Sequence, residues 1–179
     1  IVTPRPLEEK LTLLWHGHFA SNYRTVRDSY LLLQQNALFR RYAAGSFADL
    51  AYGIIRDPAM IVFLDNEKNR RRMPNENLAR ELMELFTLGE GNYSEADIKE
   101  GARALTGYSY RDNDFQFMRR VHDGQGKQIL GRHGDFDGED FVRILLQNPA
   151  CPMFVAYKLY KHFVADITYG QLERHSVAA

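Results

Sequence analysis

Two short stretches hold the residue types that could do chemistry. The first covers residues 12–21, TLLWHGHFAS, with the single Trp of the chain and the doublet His16-Gly17-His18. Histidines at H-x-H spacing can chelate one metal ion from an extended backbone, where alternate residues share a side. On an α-helix the same spacing turns the two rings roughly 200° apart, and they cannot share an ion. The surrounding pattern is helical: Leu7, Leu11, Leu14 and His18 fall on one face, with Trp15 beside them. His18 is therefore expected to face the core or a cleft, and His16 the opposite, exposed side. Placed there, His18 is either a hydrogen-bonded buried histidine or a ligand or acid–base group.

The second stretch covers residues 75–86, NENLARELMELF. At helical spacing Leu78, Leu82, Leu85 and Phe86 make a buried stripe with Glu81 at its edge. Glu84 lies one turn on, on the same side as Glu81, and Arg80 can reach Glu76 and Glu84 at four-residue spacing. A salt-bridged amphipathic helix accounts for this pattern. A partly buried Glu81 requires a partner, however, and Asn75, Glu76 and Asn77 supply more polar groups than capping needs. If the two stretches lie on neighbouring helices, His18 and Glu81 could meet in a cleft. A carboxylate–histidine pair either transfers protons, with Arg80 and Asn77 orienting it, or ligates a divalent metal through His18, Glu81 and Glu84.

Other candidates have simpler readings. Residues 65–69, DNEKN, resemble the start of a calcium loop without its Gly and distal Glu. DFDGED at 135–140 reads as a helix N-terminus, where acids favour the dipole. KNRRR at 68–72 reads as a solvated loop, or as an anion or glycan site together with surface tyrosines. There is no P-loop, G-x-S-x-G, H-E-x-x-H or dinucleotide fingerprint.

The elements that must position these residues are mostly helices. A helix is expected over 27–43. A second follows the Ser46 cap, with Asp49 at the capping-box position, and a third starts at Pro58. The helix of the second stretch ends at Gly89, a C-terminal cap. Ser94 and Asp97 form a capping box for the next helix, whose Gly101 sits on the apolar face and so predicts close contact with a neighbour. Residues 108–131 alternate instead, and Asp123-Gly124 and Gly126 are turn signals. This segment is expected to form a small β-hairpin flap, with His122 at its tip, closing over the site. Helical pattern returns at Asp137. The expected fold is all-α: one domain of seven or eight helices over 1–179, with the hairpin inserted.

Composition limits the function. Lys plus Arg equal Asp plus Glu at 23 each, which argues against a general nucleic-acid binder. A single cysteine, Cys151, excludes an internal disulfide and a Cys-rich zinc site. No apolar run is long enough to span a membrane. The chain starts without Met, so a fragment of a longer protein is expected.

The motifs LLWHGHF, RDPAMIVFLD, PNENLARELMELFTLGEGNYSEADI, ARALTGY and HDGQGKQILG, together with Asn148-Pro149-Ala150 and AYKLYKHFV, occur in that order. In this the chain resembles bacterial proteins of the domain-of-unknown-function 1800 family over nearly its whole length. The resemblance implies a central-to-C-terminal portion of a longer protein. It also implies a working partner from a sulfatase-like uncharacterised family and an exported location, but no cofactor and no catalytic residue. Two functions fit the residues: an enzyme-like helical domain with a polar His/Glu cleft, with or without a metal ion, and a non-catalytic binding or assembly module whose polar cluster is structural.

Overall fold

Capping residues divide the chain where their chemistry dictates. The computed structural model describes residues 3–166 and 168–170. Pro6 opens α1 (Pro6–His18), and Asn22 caps the single turn α2 (Tyr23–Val26). Arg27 then takes a left-handed conformation, and the Asp28 carboxylate caps α3 (Ser29–Arg41). The helix expected over 27–43 thus begins later, at the Asp28 cap. Ser46 caps α4 (Phe47–Ile54), and Asp57 caps α5 (Pro58–Phe63) with Pro in its first turn.

The next helix differs from its sequence pattern. α6 (Asn77–Glu81) runs directly into a π-helical segment, Leu82–Thr87. The Thr87 hydroxyl donates to Leu82 O, five residues back, at 2.5 Å. The wider turn shifts which side chains face inward. Met83 is fully buried, whereas Leu85, expected in the stripe, is 45% exposed. Beyond it, α7 (Glu95–Ala104) carries both halves of the Ser94–Asp97 capping box. A Cβ on its Gly101 would lie 2.6 Å from Cζ of Phe141, so the expected close contact is with α8 (Gly138–Leu146). α9 (Ala150–Phe163) follows.

Between α7 and α8 lie two antiparallel hairpins. β1 (Tyr108–Arg111) pairs with β2 (Asp114–Phe117), and β3 (Lys127–Ile129) pairs with β4 (Arg132–Gly134). Asp112 and Asn113 form the first turn at φ 51° and 68°, and Leu130 and Gly131 the second at φ 48° and 76°. Type I′ turns need positive φ at both central residues, which Asp and Asn tolerate. The Asp123-Gly124 signal instead marks the link between the hairpins. The chain is therefore mostly helical, with two small hairpins where one was expected and the second ending at Gly134.

One core joins these elements. Phe19, Phe39, Leu50, Ile54, Leu78 and Phe141 are fully buried in it. The Trp15 indole N–H donates to Ala43 O at 2.9 Å, fixing α1 against the chain that follows α3. Among the described residues no helix is long and apolar enough to cross a membrane.

Candidate functional site

α1 carries its histidines as helical geometry requires. His18 is buried in the core and lies among the rings of Trp15, Phe19, Phe47, Phe86 and Phe154. Its Nε2 is 2.9 Å from Phe86 O. A carbonyl only accepts, so Nε2 holds the proton and Nδ1 presents a lone pair. That lone pair is buried with no partner among the described residues. Burial pushes the His18 pKa down to about 4; the Phe86 bond opposes this, and the Lys158 charge adds to it. The ring is neutral at pH 7. His16 departs from expectation, because it is half-buried with its ring 5.6 Å from that of Phe39. Leu7, expected on the inward face, is 61% exposed.

The residues of the second stretch are mostly engaged within the fold. Asn75 Oδ1 accepts from Asn77 N at 2.9 Å, closing a turn before α6. Arg80 donates to Glu76 at 3.1 Å and forks onto both oxygens of Glu95 at 2.8 and 2.9 Å. Glu95, at the start of α7, therefore takes the place expected of Glu84. Glu84 accepts instead from the Tyr93 hydroxyl at 2.8 Å, which raises the phenol pKa after burial has done so. Glu81 is half-buried, and its carboxylate has no hydrogen bond or ion pair among the described residues. Burial and then the Glu84 charge raise its pKa, while Arg80 opposes them.

His122 is not at a hairpin tip. It follows a 3-10 turn, Arg119–Val121, between the two hairpins, and its Nδ1 donates to Thr106 O at 2.8 Å. Asp123 beside it is buried and ion-paired to Arg103 at 2.8 Å. These bonds hold the hairpins against the end of α7 rather than over a cleft.

His18 and Glu84 line different cavities. Leu13, Gly17, His18, Lys158, Lys161 and His162 line one of about 370 Å³. Glu84, Leu88, Asn92, Phe154, Tyr157 and Lys158 are among the residues lining another of about 410 Å³. Lys158 belongs to both, with its ammonium 4.9 Å from the centre of the Phe154 ring. It is half-buried, and burial followed by the nearby Lys161 lowers its pKa. The cavity on the α1 side is thus cationic and the one on the π-segment side carboxylate-bearing, and Lys158 of α9 lines both edges of the cleft they make along that helix. Among the described residues no three His, Cys, Asp or Glu side chains gather as a metal site. His18, Glu81 and Glu84 accordingly form no such group.

Sequence reasoning missed Lys158, Phe154 and Tyr157. Their four-residue spacing, Phe154 to Lys158, was a signal that one face of α9 pairs a ring with a cation. It also missed the buried amides Asn66 and Asn69, each 1% exposed. Asn66 donates to Tyr108 O at 2.8 Å and Asn69 to Ala102 O at 2.9 Å.

A family model described as "Protein of unknown function (DUF1800)" matches residues 1–177, and the chain belongs to that family. No curated protein and no solved structure matches it.

Proposed function

We propose that this family member is a non-catalytic binding or assembly module whose His/Arg/Glu cluster is structural and whose binding face is the cleft along α9. One observation carries the reading: His18 is a neutral histidine in an aromatic shell, hydrogen-bonded to Phe86 O and tying the end of α1 to the π segment. Other polar candidates of the second stretch are spent in the same way. Arg80 binds Glu76 and Glu95, and Asn75 closes a turn. What stays available to a ligand or a partner is the α9 face, with Lys158 and His162 beside exposed Leu13 and Phe163, while Lys161 is held by Asp166 at 3.2 Å. The partner implied by the family resemblance, a protein of a sulfatase-like family, would dock on this face.

An enzyme-like cleft is the second reading. It is favoured by the unpartnered lone pair of His18 and the unpaired carboxylate of Glu81. Nitrogen-15 shifts of the His18 ring between pH 5 and 8 separate the two. The structural reading expects a single neutral tautomer, protonated on Nε2, across that range. A titration midpoint between 6 and 7 would overturn it, because an acid–base histidine needs a pKa near the working pH.

A further inference from the structure

Arginines from two distant runs of the chain meet where the connector before α6 crosses the turn between the hairpins. Arg70, Arg71 and Arg72 lie on the connector before α6, and Arg119 and Arg120 on the 3-10 turn between the hairpins. The two runs are far apart in sequence, and main-chain hydrogen bonds join them. Arg71 N donates to Val121 O at 2.9 Å. Gly107 N donates to Asn69 O at 3.1 Å, and Met118 N to Gly107 O at 2.7 Å. Arg70 and Met73 pair as a β-bridge, leaving Arg71 and Arg72 at the tip. Arg70, Arg71, Arg72 and Arg120, with Val121, line a cavity of about 300 Å³.

These guanidiniums differ from five other arginines of the chain. Arg40, Arg56, Arg80, Arg103 and Arg143 all have carboxylate partners, and Lys68 in the same connector is neutralised by Asp65. Among the described residues, none of the four arginines lining the cavity has an ion pair or a side-chain hydrogen bond. Like charges gathered this way repel one another, in a chain whose formal net charge is zero. The loop is also held rigid from beneath. The buried Asn69 amide donates to Ala102 O and Asn66 Oδ1, and its oxygen accepts from Asn75 N at 3.0 Å. A solvated loop has no need of such an anchor, whereas a preorganised site gains affinity from one.

We infer that this cavity is an oxyanion site for a small ligand bearing phosphate or sulfate ester groups. Planar guanidinium forks match tetrahedral oxyanions in geometry as well as charge. The cavity admits a compact anion, and its lining holds no aromatic ring on which a nucleobase could stack. The site lies apart from the α9 cleft and does not depend on the function proposed for that cleft.

The test uses the intact chain, with inorganic pyrophosphate and inorganic sulfate as separate probes in calorimetry and thermal unfolding, against sodium chloride at equal ionic strength. At least one probe should bind saturably and raise the melting temperature, and the tighter one identifies the ester class. The double variant Arg71→Gln/Arg120→Gln, both positions exposed, should keep its circular dichroism and weaken binding at least tenfold. A Glu95→Gln control should leave binding unchanged. Equal responses to chloride, or undiminished binding in the double variant, would overturn the site. A response to a single-stranded oligonucleotide without one to either small anion would overturn the ligand class.

Discussion

His18 and Asp57 are buried titratable groups whose folded-state pKa values move in opposite senses. Asp57 caps α5, accepting from Met60 N at 2.8 Å and from the Gln35 amide at 2.6 Å, yet burial still pushes its pKa up to about 6. Its folded pKa lies above the unfolded value near 3.9, so the folded state holds the extra proton between them. Its stabilising effect is full below that range and is lost as pH rises through about 6. His18 is the reverse case. Its folded pKa of about 4 lies below the unfolded value, so the unfolded state holds the extra proton, and stability is lost as pH falls from about 6.5 toward 4. Each effect is on the order of 3 kcal/mol, and the two windows nearly coincide. The pair is therefore expected to contribute little net pH dependence between pH 4 and 6. Asp57→Asn keeps a capping side chain and removes one of the two titrations. Its stability should then climb by on the order of 2–3 kcal/mol from pH 4 to 6.5, read by denaturant unfolding at each pH. A profile as flat as that of the parent chain would show that His18 does not titrate as its burial requires. The inward face of His18 was legible in the sequence because helical angles are local. Its bond to Phe86 O was not, because it crosses 68 residues, and the fork from Arg80 to Glu95 was hidden for the same reason.

At the scale of elements, patterns that repeat within one helix were readable, and departures from α-helical pitch were not. The Ser94–Asp97 box, the Asp57-Pro58 start and the Gly101 contact face all appeared where residue chemistry placed them. The π segment escaped because Leu, Met and Phe fit either pitch, so the pattern could not show that Met83 rather than Leu85 turns inward. The hairpin region was recognised by alternation, but its turns fell at Asp112-Asn113 and Leu130-Gly131 rather than at the more obvious Asp-Gly. The contact between α7 and α8 gives a prediction at this scale. Gly101→Ala gains about 1 kcal/mol in helix propensity, against about 1–3 kcal/mol for forcing a methyl into a filled core. The ring of Phe141 is fully buried and sits where the new Cβ must go. A net loss is expected, seen as a lower denaturant midpoint at unchanged slope. In a Phe141→Leu background the same alanine should cost less or even stabilise. Strictly additive effects would mean that the ring is not what the methyl meets.

Across the whole molecule, one main core carries the fold. It runs without a break from Leu14 on α1, through Phe39, Leu82 and Phe141, to Val155 on α9. A second small cluster of Val26, Leu31 and Ala59 is joined to it through Phe63, which packs against both. The hairpins are tied in as well: Asn66 binds Tyr108 O, and Arg103 binds Asp123. Tyr108 lies so close to Gly138 that a Cβ there would be 2.5 Å from its ring. No described element rests on a core of its own, so unfolding should be a single cooperative transition. Trp15 is a suitable probe for this. It is the only Trp, is 5% exposed, and sits in the ring cluster beside His18 at the α1 end of the core. Far-ultraviolet dichroism, by contrast, averages over all the helices from α1 to α9. Trp15 fluorescence and dichroism should therefore give the same denaturant midpoint and slope. Hydrogen exchange adds a third view: the amides of Met83 and Phe141, far apart in sequence but in one core, should open only with global unfolding. A fluorescence transition that precedes the dichroism would mean that α1 and its aromatic shell melt separately. The bond from His18 to Phe86 O would then be too weak to couple α1 to the rest of the chain.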